Sequence, residues 1–206
     1  MAVDFRDEAP AILKDYLIYK QTIKNMSKKT VDEYFIDLRT FFRFLKVMRG
    51  LVPDGTEFDE IKIDDVDLDL IKTVNLELAY DYMNFLYRDR NNKSASRARK
   101  CSSLKGFFKY ITNNKHLLDT NPVEQLESPK NKKALPKYLT LEQSIELLNA
   151  VDGNNKQRDY CILTLFLNCG LRVSEMAGLN YNDIHSDGTM RVVCLLYTSP
   201  SPRDRT

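Results

Sequence analysis

Apolar residues recur at helical spacing along most of the chain, and no long stretch alternates apolar with polar positions, so the pattern predicts helices. Ile12, Leu13, Tyr16, Leu17 and Tyr19 make a first stripe, opened by Pro10, a residue suited to an initial helical turn. From Ser27, a capping residue, Val31, Tyr34, Phe35, Leu38, Phe41, Phe42, Leu45 and Met48 keep one face until Gly50. Residues 53–69 lose the period and predict a long loop with a short turn of structure, followed by a helix over about Leu76–Tyr87. Another helix, about Ser94–Thr112, sets Leu104, Phe107, Phe108 and Ile111 on one side and most of its bases on the other. Thr140-Leu-Glu-Gln143 is a capping-box signature for a helix that reaches Val151 and is ended by Gly153. A buried helix is expected over Arg158–Asn168, stopped by Gly170, and a short one over Ser174–Gly178. The Val, Leu and Tyr residues at 189–197 predict a strand. The expected fold class is mainly α, with a strand only near the end.

Leu38-Arg-Thr-Phe-Phe-Arg-Phe-Leu45 parallels Leu104-Lys-Gly-Phe-Phe-Lys-Tyr-Ile111. This fits two helices packing on one core, and equally a chance similarity of amphipathic helices. Between Asn121 and Pro136 lie three prolines, a lysine cluster and no apolar period, which predicts a linker between two domains.

The length of 206 residues with 43% hydrophobic content excludes a disulfide miniprotein or a disordered tail. The net charge of +2 says little, but its distribution says more. Residues 53–87 carry ten acids and two bases, a balance of −8, while residues 88–115 carry nine bases and one acid, a balance of +8. Cys101, Cys161, Cys169 and Cys194 form no C-x-x-C pair, and with His116 and His185 they give no metal-ligand spacing, so neither metal nor cofactor is expected. Acids stand where a signal peptide would be basic, and the longest apolar stretch is too short to span a bilayer. A cytoplasmic protein with no membrane partner is expected.

Two helix starts invert the usual electrostatic preference. First turns present unpaired N–H groups and the positive dipole end, which favour acids. Here Ser27, Lys28, Lys29 and Thr30 open one helix, and Ser94, Ser96, Arg97, Arg99 and Lys100 open another. An external anion would relieve the clash, and the phosphates of double-stranded DNA suit the combination of N–H groups, hydroxyls and cations. Two solvated faces with screened charges are the plain alternative. A third feature is Asn168-Cys-Gly-Leu-Arg172-Val-Ser-Glu175, where a guanidinium follows a Gly-Leu break at the mouth of a helix, beside a carboxylate able to orient it. Its planar fork suits a phosphate, and an ordinary capping ion pair with Glu175 is the simpler reading.

Gly170-Leu-Arg-Val-Ser-Glu-Met-Ala-Gly-Leu179 resembles the first arginine motif of the tyrosine recombinase (phage integrase) family, and the context is similar to Xer-like members. The pattern at Ser27, Thr30, Tyr34, Asp37, Leu38 and Phe41 resembles the family's N-terminal core-binding domain, as does SASRARKCSSLKGFFKYI. NPVEQLESPK resembles its linker and ALPKYLTLEQ the opening of its catalytic domain. The resemblance implies a SAM-like core-binding domain of four or five helices that binds DNA (1–120), a basic linker (121–136) and an α+β catalytic domain, of which 137–193 is the beginning.

It further implies metal-free phosphoryl transfer. A tyrosine attacks the scissile phosphate, a 3′-phosphotyrosine forms, and a 5′-hydroxyl reseals the strand, within protein assemblies that full-length members build on DNA. Arg172 would stabilise charge on the pentavalent phosphorus, supported by Glu175. The family's catalytic lysine, His-x-x-Arg and nucleophilic tyrosine have no match in Cys194-Leu-Leu-Tyr-Thr-Ser-Pro-Ser-Pro-Arg-Asp-Arg-Thr206, and Tyr197 lacks the context of a nucleophile. Residues 194–206 are therefore expected to be a non-native tail, and the chain to be catalytically incomplete. Two other functions fit: a non-catalytic DNA-binding module competing for recombination sites, and an all-helical protein-interaction module.

Overall fold

The structure, a computed structural model, describes residues 8–130 and 137–183. The chain divides into two compact units, one through Lys133 and one from Ala134. The described residues are helical, and none of their helices is long and apolar enough to cross a membrane. The strand expected at 189–197 lies outside the described residues.

Among the described residues of the first unit are the α-helices α1 (Ala11–Thr22), α2 (Lys28–Met48), α3 (Leu68–Lys72), α4 (Leu76–Arg88) and α5 (Ser94–Asn113). Helix α2 starts where the Ser27 hydroxyl accepts the Thr30 N–H, and the chain leaves it through Gly50 at φ +65°, a left-handed conformation that glycine takes without strain. Asp67 and Asn75 cap α3 and α4 in the same way.

The core is aromatic. The Tyr16 ring of α1 meets Tyr34, Phe107 and Tyr110 at 6.1, 5.5 and 5.3 Å between centroids. Phe42 meets Phe107 at 5.5 Å, and Phe41 meets both Phe108 and Tyr82. Edge-on contacts predominate among these rings, the arrangement their quadrupoles favour. The two similar octapeptides therefore pack against each other on one core. Their contacts also fix direction. Asp37 touches Lys100 and Ser103, while Phe41 and Phe42 touch Phe108 and Phe107, so partners advance together and α2 runs parallel to α5.

The acidic stretch after α2 is largely a counterweight to that helix. Arg43 donates to the Ile61 carbonyl and pairs with Asp59, which also takes Arg90. Lys46, itself buried, donates to the Lys62 carbonyl and to both oxygens of Asp65. Arg49 reaches the Thr73 carbonyl and hydroxyl. These bonds pin a segment that buries Ile61, Ile63 and Val66 and packs Phe58 on the core against Phe85.

One boundary differs from expectation. Residues 121–126, assigned to the linker, belong to the first unit, because Val123 and Leu126 are fully buried and Lys105 donates to the Leu126 carbonyl. The prolines obscure a V-x-x-L pair too short to register as a period. Leu126→Ala should lower the stability of the first unit by about 2 kcal/mol, the low end for such a truncation because the strand of chain can relax. Urea midpoints check it, and an unchanged midpoint would return this segment to a linker.

In the second unit, the Thr140 hydroxyl accepts the Gln143 N–H while the Gln143 side chain accepts the Thr140 N–H, the capping box opening α6 (Leu141–Asn149). Helix α7 (Lys156–Cys169) packs on α6 and ends at Gly170 in the left-handed region, φ +61°, after which come α8 (Val173–Ala177) and a short turn at Tyr181–Asp183. The expectation that Arg158–Asn168 forms a buried helix is corrected: none of the described side chains of α7 is buried, and Ile162–Leu167 are half-buried. An apolar run signals a need for cover, and among the described residues α6 packs on it.

Candidate nucleic-acid interface and phosphate site

Because α2 and α5 are parallel neighbours, their N-termini lie at the same end of the first unit. Neither first turn contains an acid. Ser27, Lys28, Lys29 and Thr30 are all exposed, and the Ser27 and Thr30 hydroxyls are bonded to each other at 2.9 Å. Helix α5 opens at Lys93 with no side chain capping its N–H groups, and Ser94 and Ser96 are half-buried in the first turn.

The three cations at the start of α5 have different fates. Arg97 donates to the Asn92 carbonyl at 3.0 Å and lies over the Tyr87 ring at 4.7 Å, which leaves its plane half-exposed. Arg99 bridges Glu33 at 2.7 Å and Asp37 at 2.9 Å and stays 45% exposed. Lys100 departs from the expected DNA-facing position. It is 8% exposed, and its ammonium donates to Asp37 Oδ1 at 3.0 Å. Helical spacing turns Lys100 inward beside Leu104 and Phe107, where its stem packs on apolar neighbours and its head needs a carboxylate.

That carboxylate, Asp37, is 1% exposed and accepts from Lys100, Arg99 and, at 2.7 Å, the Ser103 hydroxyl. Glu33 and Asp37 gave no separate electrostatic signal in the sequence, since an acid on an amphipathic helix reads as a solvated charge. A cleft of about 900 Å³ continues the same face along α5, lined in part by Lys20, Tyr34, Ser102, Lys105 and Lys109. These positions were also missed as a group, because they come from three helices. The Lys20 ammonium sits 5.2 Å from the Tyr16 ring centre and 5.0 Å from that of Tyr34. Burial, with Lys24 nearby, holds its pKa below the usual lysine range.

Arg172 immediately precedes α8. Its N–H donates to Glu175 Oε2 and its guanidinium to Oε1, both at 2.8 Å, so one carboxylate fixes backbone and side chain together. The guanidinium is 51% exposed and Glu175 only 11%, which leaves the cationic fork as the outward element. The left-handed Gly170 turns the chain so that this fork comes just after the end of α7. Among the described residues no three His, Cys, Asp or Glu side chains group as a metal site.

Comparison with known proteins decides the family. Residues 13–115 match the N-terminal SAM-like domain of phage integrases, and residues 137–202 match the phage integrase family. The chain belongs to the tyrosine recombinases. It is 49% identical over 178 residues to the tyrosine recombinase XerC of Caldanaerobacter subterraneus subsp. tengcongensis, covering 86% of this chain and 50% of that protein. It is 32% identical over 184 residues to XerC of Syntrophus aciditrophicus, covering 88% and 55%. A tyrosine recombinase of Pseudothermotoga lettingae is 31% identical over 174 residues, covering 84% and 53%. The chain thus spans about half the length of the curated recombinases it matches. No solved structure matches it.

Proposed function

We propose that these residues are the DNA-gripping part of a site-specific tyrosine recombinase acting in the cytoplasm. The first unit holds duplex DNA, and the second presents Arg172 to the scissile phosphate. The observation that carries this reading is the parallel packing of α2 and α5, which brings two cation-rich helix starts to one end of one unit. Hydroxyls, unpaired N–H groups and ammonium heads there suit phosphate oxygens. Lys28, Lys29 and Thr30 contact the backbone, with Arg97 and Arg99 closer to the groove, and Lys100 is an internal strut behind them.

Arg172, steadied by Glu175, supplies charge stabilisation to a five-coordinate phosphorus in the full reaction. The tyrosine, lysine and His-x-x-Arg of that reaction have no counterpart in these 206 residues.

The test is the salt dependence of binding to a mixed-sequence duplex oligonucleotide. Each neutralised phosphate contributes about 0.9 to the slope of log affinity against log salt. Lys28→Ala with Lys29→Ala should flatten that slope by about two. An affinity indifferent to salt, or a slope the two changes leave alone, would make these starts solvated faces.

A further inference from the structure

The face formed by α2 and α5 is basic, yet an acid stands within it. Glu33, one turn beyond Lys29, is 49% exposed and ion-paired to Arg99. Neutralising Arg99 does not require it, since Asp37 already lies 2.9 Å from that guanidinium. Taken together, Glu33, Asp37, Arg99 and Lys100 make a cluster of two negative and two positive charges. A neutral cluster is a poor phosphate clamp. A phosphate approaching Arg99 would also meet the Glu33 carboxylate, and like charges so close repel. Lys28 and Lys29 form no ion pair among the described residues, and they are the better backbone contacts.

What Arg99 and Glu33 do offer is a donor and an acceptor side by side, both about half-exposed, at the end of the unit that faces DNA. In the major groove a guanine presents two acceptors, N7 and O6, and its cytosine partner presents the N4 amino donor. An arginine fork matches the first and a carboxylate the second. The geometry points to the Arg99–Glu33 pair as a base reader specific for guanine–cytosine, with Arg99 on guanine and Glu33 accepting from cytosine N4 of the same or the adjoining pair. This rests on the reading of the α2–α5 face as a DNA interface, and it assigns that face a sequence preference.

Asp37 completes the device. Buried and bonded to Ser103, Lys100 and Arg99, it anchors the guanidinium from behind and limits the rotamers it can sample. Preorganised side chains discriminate better because less ordering accompanies each contact.

The experiment is selection from a duplex library with a randomised central segment, using the whole chain and its Glu33→Gln and Glu33→Ala variants. Glu33 is exposed enough that neither change threatens folding. Wild type should enrich guanine–cytosine at one position or two adjoining ones. Replacing that pair by adenine–thymine should weaken binding about tenfold in wild type and about threefold in Glu33→Ala, where Arg99, still held by Asp37, is left to read guanine alone. Glu33→Gln should move the preference toward adenine, which a carboxamide reads. Affinity for unselected duplex should hold or rise in both variants, because a negative charge leaves an anion-binding face.

Identical preferences in wild type and both variants would overturn the assignment, as would wild-type binding without any base preference. A uniform loss of affinity across all sequences would make Glu33 only a brace for Arg99, which also overturns it. Failure of wild type to retain any duplex even at low salt would instead remove the underlying DNA-binding reading.

Discussion

Replacing Asp37 by alanine is expected to cost the first unit about 3–5 kcal/mol, the range for removing one partner of a buried ion pair. The carboxylate is 1% exposed and is the counter-ion of Lys100, whose ammonium is shut in with it. Without Asp37 that ammonium keeps only the Thr40 hydroxyl at 3.5 Å, a long contact, and the Ser103 hydroxyl loses its 2.7 Å acceptor. The remaining charge must be solvated by opening the α2–α5 seam. Denaturant midpoints measure the loss. A companion variant separates charge from packing: Asp37→Leu combined with Lys100→Met removes both charges and should recover most of the stability. A loss below about 1 kcal/mol for Asp37→Ala would mean that water already reaches the pair.

The other large effect is expected at Phe107. Its ring is fully buried and meets Tyr16, Phe42 and Phe108, so it joins α1, α2 and α5. Truncation to alanine should destabilise by about 3–5 kcal/mol, from lost transfer energy and a cavity its neighbours cannot fill. Those neighbours are held in place by their own contacts. Tyr16 is tied to Tyr34 and Tyr110 as well, and Gly106 lies so near the Tyr16 hydroxyl that a Cβ there would come within 2.8 Å of it. Tyr87→Ala, at a ring 60% exposed, is the matching control and should change stability by under about 0.5 kcal/mol. Equal midpoints for Phe107→Ala and the control would refute the placement of Phe107 at the junction.

Much of this fold is legible because its helices advertise both ends. Ser27, Thr140 and Gly170 behave as their chemistry predicts, and the apolar stripes of α2, α4 and α5 place those helices to within a residue or two. Periodicity fails where structure is held by bonds between distant residues. The 53–69 segment is organised by Arg43 and Lys46 reaching across from α2, and no local pattern encodes that. Val123 and Leu126 carry a signal of two residues among prolines. At the candidate interface the sequence marks the cation-rich starts, but it cannot distinguish Lys28, which points outward, from Lys100, which points in. That distinction depends on which turn of α5 faces Asp37. Glu33 is the sharper omission: its meaning comes from Arg99, sixty-six residues away, and from no neighbour in the chain.

The burial of Leu126 also bears on how the unit comes into being. Helices α2 and α5 are separated by forty-five residues of loop and helix, and their shared core closes on Val123 and Leu126 at its far end. Contacts so remote in the chain form only after the entropy of closing the intervening loop has been met, which makes assembly late and cooperative. A nascent polypeptide halted within α5 has already made Phe41, Phe42 and Tyr82 but has not yet supplied Phe107, Phe108, Val123 or Leu126 to cover them. The ribosome must therefore release everything through Leu126 before the unit can become stable, and until then its aromatic face is the business of chaperones.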